Sequence, residues 1–138
     1  MKVFVDTNVI LDVLERREPF YLHSTNILDL GNNCVIELYT SALSLINVLY
    51  VCRKSIGKEN AIARVQELRT FLSISPITSD EFDNALSIGN KDIEDNLQFC
   101  SAVTSECEVL VTRNKSDFPV SDEIKVQTPV EFLYAFCC

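Results

Sequence analysis

Four aspartates stand where a folded chain could turn them toward one point. Asp6 closes the apolar run Lys2-Val3-Phe4-Val5 and is followed by Thr7-Asn8. Asp92 and Asp95 are three residues apart at the start of a helical pattern, so they share a face. Asp117 comes after Val109-Leu110-Val111-Thr112-Arg113-Asn114-Lys115-Ser116 and directly before Phe118. Carboxylates gathered at one end of a sheet repel each other. At ~4 Å in a surface-like medium one such pair costs roughly 4 kcal/mol. A hard cation such as Mg²⁺, which takes oxygen ligands, removes that repulsion.

Each of these residues also has an ordinary structural role open to it. An Asp or Thr ahead of a helix is a good N-cap, which would account for Asp6 and for Asp92. Asp12, inside the first helix, reads as a solvated helix residue. Acidic residues in a first turn are favoured by the helix dipole. That explains Asp95 less well, because Leu97 and Phe99 begin an apolar face beside it. Glu94 is displaced by ~100° from Asp95 and is expected to point elsewhere. A plain turn would account for Thr112 to Asp117. The order strand, Thr112-x-Asn114, then Asp117-Phe118 is more specific than a turn requires.

The elements that must position these groups alternate between strand and helix. Residues 2–6 read as a first strand, followed by a helix to about Arg16. Pro19 opens a second helix, with Phe20, Ile27, Leu28 and Leu30 facing inward, that ends near Gly31-Asn32-Asn33. Residues 35–40 read as a second strand and residues 41–53 as a helix capped by Ser41. After Gly57 a helix runs over residues 58–72, then a short strand over residues 72–77. Ser79 or Asp80 caps a helix ending at Gly89, and Asp92 begins another. Strands over residues 108–112 and 124–127 and a helix over residues 129–136 complete the chain. Strands separated by helices imply βαβ units and a mostly parallel sheet covered on both faces. In such a sheet ligands bind at the carboxyl ends of the strands, where Asp6 would lie.

The 138 residues suffice for one domain, residues 1–138, with its own core. Hydrophobic residues make up 47% and charged residues 23%, as in ordinary soluble proteins. No apolar run approaches the ~20 residues of a membrane span, and Asp6 and Asp12 interrupt any signal-like segment. The expected location is therefore the cytoplasm, with no membrane partner. The six cysteines form no CxxC pair and the only histidine is His23, which argues against zinc and against a disulfide framework. Most sit in apolar stretches, as buried free thiols do; Cys137 and Cys138 are adjacent at the end and could oxidise. The net charge of −8 opposes a broad nucleic-acid-gripping surface. Locally the balance differs: Arg53, Lys54, Lys58, Arg64 and Arg69 make the middle basic, and Arg113 and Lys115 precede Asp117.

Taken together these segments resemble a PIN domain. The resemblance rests on Val3-Phe4-Val5-Asp6-Thr7-Asn8, on Thr40-Ser41-Ala42-Leu43-Ser44, on Asp92-Ile93-Glu94-Asp95-Asn96-Leu97-Gln98, and on Val111-Thr112-Arg113-Asn114 with Asp117-Phe118. It covers nearly the whole chain and is strongest to the VapC-like bacterial group. It implies an α/β/α sandwich around a central, mostly parallel sheet. The implied activity is Mg²⁺- or Mn²⁺-dependent endoribonuclease, in the setting of a type II toxin–antitoxin pair. The implied partners are RNA, a cognate antitoxin and a second copy of the chain. By position, Asp6, Asp95 and Asp117 match the family's first, third and fourth carboxylates and would hold the metal, with Asp92 an extra acidic neighbour able to take a catalytic role. Thr112 and Asn114 match polar residues that steady the site, and Thr7 and Asn8 adjoin Asp6. The second family carboxylate, a Glu, falls at Asn47, which offers an oxygen but no charge. Arg113 and Lys115 are the candidate contacts to the RNA backbone. In such a site the metal makes water a usable nucleophile at neutral pH and stabilises charge on the phosphate.

Other functions fit less well. A PIN fold kept as a binding module, with weak or no cleavage, is favoured by Asn47 and by the acidic balance. A haloacid-dehalogenase-type phosphatase would need a second Asp where Asn8 stands. A receiver domain would need a phosphate-contacting Lys after a late strand, and none is evident.

Overall fold

The computed structural model describes residues 1–89 and 92–137. Cys138 lies outside the described residues. Five short strands, β1 (Lys2–Val5), β2 (Glu37–Ser41), β3 (Leu72–Ser75), β4 (Val109–Val111) and β5 (Lys125–Gln127), form one sheet in the order β3-β2-β1-β4-β5. Every pairing is parallel. The helices are α1 (Thr7–Leu14), α2 (Tyr21–Asn32), α3 (Ala42–Ile56), α4 (Lys58–Leu68), α5 (Ser79–Ile88), α6 (Ile93–Thr104) and α7 (Pro129–Cys137). The architecture is the expected three-layer α/β/α sandwich.

Strand β1 is central because it is apolar on both faces: Val3, Phe4 and Val5 are all fully buried. Val3 and Val5 join a core with Val9 and Ile10 of α1, Ile27 of α2, Leu38 of β2 and Val48 of α3. Phe4 turns the other way, onto Phe99 and Ala102 of α6, Leu110 of β4 and Phe118. Helix α2 lies close on β2 because Gly31 has no side chain there; a Cβ at that position would sit 2.2 Å from a Leu38 methyl.

From β1 the chain steps outward to β2 and β3, then returns across the sheet to β4 on the other side of β1. The reversal of strand order falls between β1 and β4, so a crevice opens at their carboxyl ends. The main chain closes its floor, with the Asp6 N–H donating to the Val111 carbonyl at 3.0 Å.

Every expected element is present, but some bounds move: α2 begins at Tyr21 and leaves Phe20 exposed instead of inward-facing, α3 runs on to Ile56, α4 stops at Leu68 and β3 at Ser75. The cap of α5 is Thr78, not Ser79 or Asp80. Thr78 and Glu81 form a reciprocal capping box, with the Thr78 N–H donating to Glu81 Oε1 at 2.6 Å.

Candidate active site

Asp6 stands at the reversal point, between the end of β1 and the start of α1. It is buried, 7% exposed, and three groups hold it. The Thr7 N–H donates to Oδ1 at 2.7 Å, Thr112 Oγ1 donates to Oδ2 at 2.8 Å, and Asn8 Nδ2 donates to Oδ2 at 3.3 Å. Burial raises the Asp6 pKa; the Thr112 and Thr7 hydrogen bonds pull it down, while the charge of Glu94 adds to the rise. Thr112, fully buried at the end of β4, ties the crevice together, since its hydroxyl also accepts the Asn114 N–H at 3.0 Å. Asn8 reaches Thr112 Oγ1 as well and accepts the Arg113 N–H at 3.3 Å. Thr7, Asn8 and Thr112 thus all surround Asp6. Asn114 contributes its main chain, with an exposed side chain.

Asp95 enters from the first turn of α6. Its pKa is pushed up to about 7, first by burial and then by the like charges of Asp6, Asp92, Asp117 and Glu94. Four carboxylates acting on a fifth mark a crowded acidic corner. Asp92 is the N-cap of α6, with Oδ1 accepting the N–H groups of Glu94 at 2.9 Å and Asp95 at 3.3 Å. It fixes the helix start that presents Asp95. Asp117 ends the 3-10 turn Lys115–Asp117 and is exposed toward the same corner, close enough for its charge to act on Asp95.

Beneath this corner a buried hydrogen-bond chain locks three elements together. Gln98, 1% exposed on α6, accepts from Ser41 Oγ at 2.5 Å and donates to Ser44 Oγ at 2.7 Å. Thr7 Oγ1 donates to Ser44 Oγ at 3.0 Å. The helix bearing Asp95 is therefore keyed to the start of α3 and to the residue after Asp6. Sequence reading missed this chain, although Gln98 lies three residues after Asp95 and so shares its inward face.

Two expectations change. Asp12 is not a solvated helix residue: its side chain is fully buried and paired. Arg113 is its partner, with Nε and Nη2 on the two Asp12 oxygens at 2.7 and 3.0 Å and the guanidinium 4.0 Å from the centre of the Phe20 ring. That geometry makes Arg113 a strut between the loop after β4 and α1, with 22% of its side chain still exposed on the wall of the cleft beside Asp117. Glu94 does not point elsewhere. Its Oε1 accepts from Asn47 Nδ2 at 2.6 Å, and its charge acts on both Asp6 and Asp95. A first-turn Glu is long and has no preceding turn to confine it, so the ~100° offset of its Cα from Asp95 does not decide where its carboxylate goes. Lys115 is half exposed, with Nζ 3.3 Å from Glu131, a surface pair that exchanges easily.

Beside Asp117 lies an open cleft of about 910 Å³, lined in part by Lys115, Ser121 and Lys125. The donors around the corner, Asp6, Asp95, Asp117 and Glu94, are all hard carboxylate oxygens, which suits Mg²⁺ or Mn²⁺ and not a thiolate-seeking metal. Among the described residues no three carboxylate, imidazole or thiol groups stand close enough to enclose an ion by themselves. Mg²⁺ does not need such a cage: it usually keeps several waters and takes one or two carboxylates together with substrate phosphates.

The PIN domain family profile matches residues 2–116. The chain is 32% identical over 136 residues to Ribonuclease VapC1 of Aquifex aeolicus (strain VF5), which covers 95% of this chain and 92% of that protein. Its fold matches a chain of a toxin–antitoxin complex from Klebsiella pneumoniae with a TM-score of 0.68 at 18% identity, over 92% of this chain and 97% of that one. It likewise matches a chain of VapBC-1 from nontypeable Haemophilus influenzae, TM-score 0.68 at 19% identity, over 94% and 99% of the two chains.

Proposed function

The chain belongs to the PIN domain family, and on that premise we propose that it is a metal-dependent endoribonuclease, the toxin half of a type II toxin–antitoxin pair. The observation that supports this reading is Asp6 at the reversal point of the sheet, with Asp95 close enough for the charges of Asp6, Asp92, Asp117 and Glu94 to raise its pKa. Further support comes from the name of its relative, a ribonuclease, and from neighbours in fold that are described as toxin–antitoxin assemblies. All of residues 1–138 act as one domain in this reading. The setting is the cytoplasm; among the described residues no helix is long and apolar enough to cross a membrane. The partners are RNA, a cognate antitoxin and a second copy of the chain.

Asp6, Asp95 and Asp117 would hold the Mg²⁺ or Mn²⁺ ion. When bound, such an ion stabilises charge on the phosphate and makes water nucleophilic near neutral pH. Thr112, Asn8 and the Thr7 N–H keep the Asp6 carboxylate in one orientation, so it is presented without side-chain rearrangement. Asp95, half-protonated near neutrality in the metal-free protein, gives up its proton as it takes its place, so affinity rises with pH. Asp92 holds the first turn of α6 in register. Lys115 and Lys125 on the cleft wall contact the RNA backbone.

The test is cleavage of an unstructured RNA by the full chain in Mn²⁺ and in EDTA. Cleavage in Mn²⁺ that disappears in EDTA and in Asp6→Asn is expected. RNA binding without cleavage at saturating Mn²⁺ would replace this reading with the binding-module one, which the neutral Asn47 favours.

A further inference from the structure

The position at which the family resemblance calls for a Glu carries Asn47, yet the charge is not missing from that place. Asn47 lies on α3 one turn beyond Ser44, and Glu94 lies on α6 one turn before Gln98. The buried Ser44–Gln98 hydrogen bond fixes how those two helices meet, and the next rung outward is the Asn47–Glu94 contact at 2.6 Å. Both residues sit at the rim of the acidic corner, Asn47 half-buried and Glu94 exposed. We propose that Glu94 supplies the carboxylate that position 47 withholds, so that the divalent ion of this site is held by a donor set relocated from α3 to α6. Asn47 is its positioning residue.

The physical argument is one of charge placement. A neutral amide at 47 can donate a hydrogen bond to a carboxylate, which a Glu at 47 cannot do. Asn47 Nδ2 therefore holds Glu94 Oε1 and takes up only one of the two carboxylate oxygens. A Glu at 47 beside the native Glu94 would instead put two like charges at contact distance. The amide and the relocated acid are one coupled exchange: each makes sense of the other.

The inference rests on the metal-ribonuclease reading, and its test separates the two. Calorimetric titration of the full, metal-free chain with Mn²⁺ is compared across variants, with thermal melting of each metal-free protein to confirm folding. Glu94→Gln should weaken Mn²⁺ binding by about tenfold, the scale of one carboxylate's attraction at partly screened range. Asn47→Ala, which frees Glu94 without removing charge, should weaken it by about threefold. Combining Glu94→Gln with Asn47→Glu inverts the pair, keeping one amide and one carboxylate, and should restore affinity to within about threefold of the native chain. Native affinity in Glu94→Gln, or no recovery in the inverted pair, overturns the proposal. A native chain that binds no Mn²⁺ removes the metal reading and the inference together. Binding that is lost in Asp6→Asn but untouched in Glu94→Gln removes the inference alone.

Discussion

Replacing Arg113 by Met separates a structural strut from a nucleic-acid contact. The Asp12 side chain is fully buried, Arg113 is 22% exposed, and two hydrogen bonds of 2.7 and 3.0 Å join them. Removing one partner of a buried pair leaves an uncompensated charge, at about 3–5 kcal/mol. The Ser24 hydroxyl, 3.3 Å from Asp12, stays in place, and Met fills much of the space over Phe20. The lower end of that range therefore applies, about 3 kcal/mol, or a fall in Tm on the order of 10 °C for a chain of this size. Urea unfolding of the full chain, followed by circular dichroism, reads it. Adding Asp12→Leu removes the stranded charge and should bring stability back to within about 1 kcal/mol of the native chain. Arg113→Met that unfolds within about 0.5 kcal/mol of the native chain while losing RNA affinity would refute the reasoning and return Arg113 to the RNA surface.

Three further outcomes follow from the same geometry. Asp95→Asn should stabilise the metal-free chain above pH 7: the folded pKa is raised to about 7, so between 3.8 and 7 the folded state binds more protons and native stability falls as pH rises. The full shift would be about 4 kcal/mol, but Asp95 is partly exposed and solvent screening reduces this to roughly 1–2 kcal/mol; melting curves at pH 4 and pH 8 check it, and an equal effect at both would contradict it. Gln98→Ala takes one partner from each of the Ser41 and Ser44 hydroxyls, which keep their bonds to each other and to Thr7, and opens a cavity, for a loss of roughly 2–4 kcal/mol by denaturant unfolding and weaker Mn²⁺ binding; unchanged stability would mean that the chain of hydrogen bonds does not key α6 to α3. Native protein should expose Cys34 and Cys137 to a thiol reagent while Cys52, Cys100 and Cys107 react only after unfolding, with burial pushing the Cys107 thiol up to about 12; rapid reaction of all three buried thiols in the native protein would contradict the packing.

The parts of the fold that are written locally were readable in advance. The run Val3-Phe4-Val5, apolar on both faces, could only be a central strand, and it places Asp6 at a strand tip whatever surrounds it. Thr78-Ser79-Asp80-Glu81 carries the capping-box pattern, but three adjacent residues can each cap, and only the reciprocal bond to Glu81 chooses Thr78. Long-range pairing was not readable. Nothing local distinguishes Asp12 from a solvated helix acid, because its partner is Arg113, 101 residues further on. The direction of Glu94 depends on Asn47, 47 residues earlier, and on the packing of α3 against α6. Residues that serve the site through the main chain or in its immediate neighbourhood were legible; those whose role depends on which helix lies opposite were not.

Anomalous diffraction from a crystal of the full chain soaked in Mn²⁺ tests the central claim most directly. The account predicts one or two Mn²⁺ peaks in the crevice at the carboxyl ends of β1 and β4, within coordination range of Asp6 and Asp95, and absent from crystals of Asp6→Asn. A native crystal whose strongest peak lies away from Asp6, or which shows no peak at all at saturating Mn²⁺, would contradict it.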